Sequence, residues 1–259
     1  MRPQDEEAAL LALPPAAAED SRAYGPHPSQ VIDYYGVGGG RRLTVLHGGF
    51  WREAYDRAHL SPLAAELARC GYAVALAEYR RVGGGGGWPA TFDDVAQAVE
   101  TAWDGAEHVV LGHSAGGQLA LWAAARGGVS GVVAVSPVAD LGYARELRLS
   151  DGAVDELIGA EGDLAAVDPV RLPPLGVPAV LVHGTADVDV PVEVSRRYAG
   201  VAGARLRELP DVGHYAPLIP GSAAFPELLA ALAEVEGHDV PPGGAEAAAT
   251  QAPVPRSKE

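Results

Sequence analysis

The sequence predicts an α/β domain, a mostly parallel sheet with helices on both faces. Short apolar runs alternate with helix-length amphipathic stretches from about residue 30 to 236, which is the pattern of repeated strand–helix–strand units. Runs such as Tyr72 to Ala77 are apolar at every position, as strands covered on both faces are. A third observation is the stretch Val109-Val110-Leu111-Gly112-His113-Ser114-Ala115-Gly116-Gly117-Gln118-Leu119-Ala120-Leu121, which reads as a strand, a sharp turn and a helix.

A chain of 259 residues suits one large domain better than two small ones. The formal net charge of −15 argues against nucleic acid, because phosphate binding needs clustered cations and the arginines here are single or paired. Cys70 is the sole cysteine, so an intrachain disulfide and a cysteine-based metal site are both excluded. The start, Met1-Arg2-Pro3-Gln4-Asp5-Glu6-Glu7, has the wrong charge for a signal peptide, and Ala8 to Leu13 is too short to span a membrane. These features lead us to expect a cytoplasmic protein, a monomer or homodimer with neither membrane nor nucleic-acid partner.

Taken in order, residues 1–25 read as an N-terminal extension resting on the domain, with disorder as the alternative. Val31 to Tyr35 should be a strand. Gly36-Val37-Gly38-Gly39-Gly40 precedes a strand instead of opening a helix, so a hairpin-like turn is expected there and not a dinucleotide loop. Arg42 to Leu46 is the next strand and runs into His47-Gly48-Gly49-Phe50-Trp51. Ser61 to Arg69 reads as a helix with Ser61 as N-cap and Pro62 first in the helix. The loop Glu78 to Pro89 carries five consecutive glycines without a phosphate-loop lysine, so mobility is expected. Thr91 begins a helix striped by Phe92, Val95, Val99 and Trp103, with Asp94 placed for a capping box. Gly131 to Val135 is a strand. Residues 137–174 lack a strand pattern and, with Leu147 to Ile158 weakly helical, suit a small cap. A strand at Pro178 to Val182, a helix at Glu193 to Ala199, a strand at Arg205 to Leu209 and a helix at Ser222 to Glu236 complete the domain, 26–236. Residues 237–259 read as a disordered tail.

Ligand sites in such folds lie beyond the carboxyl ends of the strands, where the polar clusters of this chain fall. The turn Gly112-His113-Ser114-Ala115-Gly116 spells G-x-S-x-G, a strained bend that lifts a serine above the sheet and needs glycine where a Cβ would clash. Serine is a weak nucleophile and needs a base, which in turn needs an acid to hold its tautomer. In this architecture the order is serine, acid, histidine. Of the eight histidines, only His214 and His238 follow the last plausible acid strand, and His238 lies in the tail, which points to His214. Asp187 leaves its strand first and is preferred as the acid. Asp189 stays open, and Asp211 sits too near His214.

An oxyanion needs two donors. Ala115, at the helix start, offers one backbone N–H; the Gly48, Gly49 and Phe50 turn offers the other, with Gly48 there for close approach. Trp51 could line an acyl pocket or pack beneath the loop, and His47 should shape the turn. His113 and Tyr215 are candidate substrate contacts, as Tyr79, Trp88 and Tyr143 could be. His113 and His183 should also bond locally, whereas His27, His59 and His108 show no pairing. The histidines share no metal-ligand spacing with a carboxylate, so neither metal nor cofactor is expected.

Together, Gly-His-Ser-Ala-Gly-Gly at 112–117, His-Gly-Gly-Phe-Trp at 47–51, His-Gly-Thr-Ala-Asp at 183–187 and Gly-His-Tyr at 213–215 resemble the α/β-hydrolase superfamily. The H-G-G-x-W turn is similar to that of its kynurenine formamidase (arylformamidase) and small carboxylesterase branch, as is the stretch from Glu78 to Val95. The resemblance implies the α/β-hydrolase fold and a triad of Ser114, Asp187 and His214. It also implies oxyanion donors around Gly48, Gly49 and Ala115, and a small ester or aryl amide as substrate. Kynurenine formamidase proper, a prolyl-oligopeptidase-like peptidase and a non-catalytic ligand-binding member of the fold are the alternatives.

Overall fold

Eight strands form one sheet in the order β1-β2-β4-β3-β5-β6-β7-β8. The computed structural model describes residues 1–38 and 40–237; Gly39, His238 and the expected tail beyond residue 237 lie outside them. The strands are β1 (Asp20–Ala23), β2 (Val31–Tyr35), β3 (Arg41–Leu46), β4 (Tyr72–Ala77), β5 (Val109–His113), β6 (Gly131–Val135), β7 (Ala179–Gly184) and β8 (Arg205–Leu209). β1 and β2 run antiparallel to their neighbours and every other pairing is parallel. The mostly parallel sheet expected from the sequence is therefore present. The hairpin expected around Gly38 is not, because β4 lies between β2 and β3.

The helices are α1 (Glu6–Leu11), α2 (Ser61–Arg69), α3 (Ala90–Thr101), α4 (Ala115–Ala125), α5 (Leu141–Glu146), α6 (Leu149–Ile158), α7 (Glu193–Ala202) and α8 (Phe225–Val235). Strand alternation splits the core in two. Val110, Val132 and Ala134 face α3 and α4, while Val109, Leu111, Val133 and Val135 face α2 and α8. All of α4 except its last residue is buried, as befits a helix that is apolar on every side.

Several local expectations give way to tertiary contacts. Ser61 is already helical and does not N-cap α2; its hydroxyl donates to the Ala58 carbonyl and accepts from Ala16 N–H. Asp94 does not close a capping box, because its buried carboxylate takes Arg80 bidentately and Gln30 at 2.8 Å. The pentaglycine is an ordered turn: Gly83, Gly85 and Gly87 have φ of 96°, 81° and 100°, and Gly84 and Gly86 N–H both bond the Arg81 carbonyl. Glycine suits it because L side chains resist that φ. α6 begins in a left-handed stretch, with φ of 47°, 54° and 90° at Ser150, Asp151 and Gly152, which explains its weak helical pattern.

β1 adds an edge strand, and α1 packs Leu10, 1% exposed, into the α2/α8 side of the core.

Candidate active site

β5 ends and α4 begins at Ser114, whose φ of 54° and ψ of −118° lie in a region that side chains avoid. Backbone bonds hold it there. Ser114 N–H donates to the Val135 carbonyl at 2.9 Å, and the Ser114 carbonyl accepts from Gly117, Gln118 and Val138. The glycine requirement is steric. A Cβ on Gly112 would fall on the Gly116 carbonyl, and one on Gly116 would fall on the His47 and Leu46 carbonyls. These are main-chain atoms and cannot swing aside.

The turn after β3 closes on the same serine. A Cβ on Gly48 would lie 2.9 Å from His113 Nδ1 and 3.0 Å from Ser114 Cβ, so only glycine lets this backbone approach. Gly49, Phe50 and Trp51 all have positive φ, at 110°, 47° and 59°. Ala115 is the first residue of α4, so its N–H has no acceptor within the helix. His47 shapes the turn as expected: its ring faces the Gly48 carbonyl at 2.8 Å and Glu78 Oε1 at 2.9 Å, and Tyr79 stacks on it at 4.5 Å. Burial alone would raise the Glu78 carboxyl; His47, Arg81 and the Tyr79 N–H outweigh it and hold the group at about 2.

His214, on the loop after β8, sets its Nδ1 2.6 Å from Asp187 Oδ2. Asp187 is fixed from its other side, where Oδ1 accepts the N–H groups of Asp189 and Val190 at 2.9 and 2.8 Å. His183 Nε2 is a further 3.2 Å from Oδ2, while its Nδ1 meets Ser195 Oγ at 2.7 Å. Burial again opposes ionisation, but His214 and His183 hold the Asp187 carboxyl far below the usual carboxylate range. Asp189 turns toward the cavity and is raised by burial. Of the two candidate acids, Asp187 is therefore the one bonded to the imidazole. One ligand atom each of Asp187, Asp189 and His214 lie within 4.8 Å of one another, but the His214–Asp187 hydrogen bond already engages two of the three side chains.

Ser114 and His214 open into one cavity of about 230 Å³. Of the expected substrate contacts, His113 and Tyr215 line it. The His113 Nε2 faces the His214 carbonyl at 3.2 Å, and burial followed by the His214 charge keeps this imidazole far below its ordinary pKa. Trp51 does not line the cavity. It is 0% exposed, packs beneath the turn and donates its indole N–H to Gln118, which matches the second of its two expected placements. Tyr79, Trp88 and Tyr143 also lie away from it. The sequence reading missed His59, Arg52 and Tyr55, which follow the glycine turn closely enough for position alone to have suggested them, and Leu10, Leu11 and Ser150, which no motif marks. Burial pushes His59 down to about 4.

The family model BD-FAE matches residues 41–132, the stretch that carries Gly48, Gly49 and Ser114. No curated protein matches the chain. Among solved structures, esterase B from Lactobacillus rhamnosis aligns with a TM-score of 0.72 at 17% identity, covering 90% of each chain. A truncated carbohydrate esterase from gut microbiota aligns at 0.70 and 20% identity, over 87% of this chain and 100% of the other. A hormone-sensitive lipase from a metagenome library aligns at 0.67 and 19% identity, over 87% of this chain and 86% of that one. With its sheet order, its serine elbow and these structural likenesses, the chain has the α/β-hydrolase fold.

Proposed function

We propose that the protein is a serine hydrolase that cleaves a small carboxylic ester or aryl amide through an acyl-enzyme. The observation that carries this reading is that His214, bonded to Asp187 at 2.6 Å, shares one cavity with Ser114 on its positive-φ elbow. In the proposed reaction His214 Nε2 takes the proton from Ser114 Oγ as the oxygen attacks the substrate carbonyl. Asp187, ionised through the neutral range, fixes the Nδ1–H tautomer and stabilises the imidazolium. The oxyanion is held by the N–H of Ala115 and those of the Gly49–Phe50 turn. The imidazolium then gives its proton to the leaving group, and water, deprotonated by the same imidazole, releases the acid.

Likeness to structures named as esterases and a lipase supports the ester over the amide. A cavity of about 230 Å³ favours a small acyl group. The test is labelling with a fluorophosphonate probe, followed by a panel of acyl nitrophenyl esters, N-formylkynurenine and peptide amides. Intact protein carrying no adduct on Ser114 would refute the mechanism, and the preferred substrate in the panel separates esterase, formamidase and peptidase.

A further inference from the structure

Glu6 is 1% exposed, which is unusual for a carboxylate without a buried cation, and it sits 208 positions before His214 in the chain. Its partners are the backbone of the histidine loop. Oε1 accepts from Gly213 N–H at 2.8 Å, and Oε2 accepts from Tyr215 and Ala216 N–H, both at 2.9 Å. The carboxylate thus takes the amides on both sides of His214. A Cβ on Gly213 would press to 2.7 Å from Glu6 Oε2, so the loop is shaped to admit it. The helix that carries Glu6 is itself anchored by Leu10, 1% exposed.

We infer that Glu6 is a positioning residue for the catalytic base, with α1 as the strut that sets where the His214 imidazole stands. The inference rests on the hydrolase reading above. A backbone loop can rotate about its own dihedrals, but three charge-assisted bonds to one rigid carboxylate fix the N–H groups of Gly213, Tyr215 and Ala216, and with them the backbone that flanks His214. Asp187 fixes the imidazole from the side-chain end. Held at both ends, the ring keeps Nε2 aimed at the cavity. Released at the backbone end, it swings about the Asp187 bond. The displacement falls on the proton transfer, because misplacing a reacting group by about 1 Å lowers the rate by about 100-fold.

The experiment compares the full chain with Glu6→Gln, Glu6→Asp and Glu6→Ala. Glutamine keeps the size and one acceptor oxygen but presents an NH2 to one set of N–H donors; aspartate keeps the charge but falls short. Two readouts are taken. The first is the second-order rate of Ser114 modification by the fluorophosphonate together with kcat and KM on the best ester. The second is the far-downfield NMR proton resonance of the His214–Asp187 bond, measured without substrate. We expect kcat to fall about tenfold to 100-fold in Glu6→Gln with KM nearly unchanged, and the resonance to broaden or shift. Aspartate should recover part of the loss. If folded Glu6→Gln keeps both the wild-type kcat and the wild-type resonance, the positioning role is wrong even though the hydrolase reading stands. If the wild type neither labels nor turns over any ester while its resonance still responds to Glu6→Gln, the hydrolase reading fails and the clamp on His214 stands. Should Glu6→Ala not fold, the glutamine and aspartate variants decide.

Discussion

Replacing Glu78 by glutamine tests the buried network under the glycine turn. Glu78 binds the His47 ring at 2.9 Å, the Arg81 guanidinium at 3.0 Å and the N–H groups of Tyr79 and Arg57, with its side chain 3% exposed. The folded chain holds this carboxyl at about 2, against 4.5 for a free one. Because the folded value is the lower, ionised Glu78 adds stability at pH above about 4.5, and that contribution drains away as pH falls toward 2. The gap corresponds to about 3 kcal/mol. Glutamine cannot titrate, so wild type should lose about 3 kcal/mol more than Glu78→Gln between pH 5 and pH 2. Between those limits the two slopes should differ by up to about 1.4 kcal/mol per pH unit. Urea denaturation across that range, with m-values checked for constancy, measures the difference. At neutral pH the variant should also be less stable by about 3 kcal/mol or more, since removing one partner leaves the buried Arg81 guanidinium uncompensated. Coincident pH slopes would refute the argument. If the variant does not fold, a carbon NMR titration of the Glu78 carboxyl gives the same quantity in the wild type.

Three further outcomes follow from the site. If the proposed hydrolase reading holds, Ser114→Ala and His214→Ala should each abolish hydrolysis of a short-chain nitrophenyl ester, because members of a triad act as a unit; activity retained in either would mean a different nucleophile or base. Asp187→Asn should fold yet lose about 10⁴-fold in kcat, since the amide no longer selects the Nδ1–H tautomer; a loss under tenfold would hand the acid role to Asp189. Gly116→Ala should destabilise the chain by about 3 kcal/mol or more, as its methyl meets two main-chain carbonyls with no room to relax, and an unchanged urea midpoint would show that the elbow has slack.

What the sequence discloses is what local pattern determines. β4 and β6 are buried at every position and are legible from composition alone. The elbow, the glycine turn and the strand-end placement of Asp187 and His214 are legible because each lies within a few residues of a strong strand. β1 is exposed at all four residues and has no alternation to read. Asp94 looks like a cap, since its sequence neighbours favour one, and instead pairs with Arg80 and accepts a hydrogen bond from Gln30, which only the fold brings near. Glu6 lies beyond any local rule. An acidic residue starting a short helix is ordinary, and the N–H groups that donate to it are more than 200 residues away.

Trp51 shows how burial far from the reacting atoms sustains strain beside them. Positive φ at Phe50 and Trp51 disfavours the turn by about 1–2 kcal/mol per residue. Fully burying an indole removes about 200 Å² from water, which at about 25 cal/mol per Å² contributes about 5 kcal/mol. Burial therefore outweighs the strain at both residues. Direction comes from hydrogen bonds: the indole N–H donates to Gln118 Oε1 at 3.2 Å, and Gln118 Nε2 donates to the Val167 carbonyl at 2.9 Å. One chain of contacts thus joins the turn after β3, the helix behind Ser114 and the segment between β6 and β7. A tryptophan at this place holds the turn whose Gly49 and Phe50 line the same cavity as Ser114, without itself lining that cavity, so truncating it should disturb the turn before it disturbs the cavity wall.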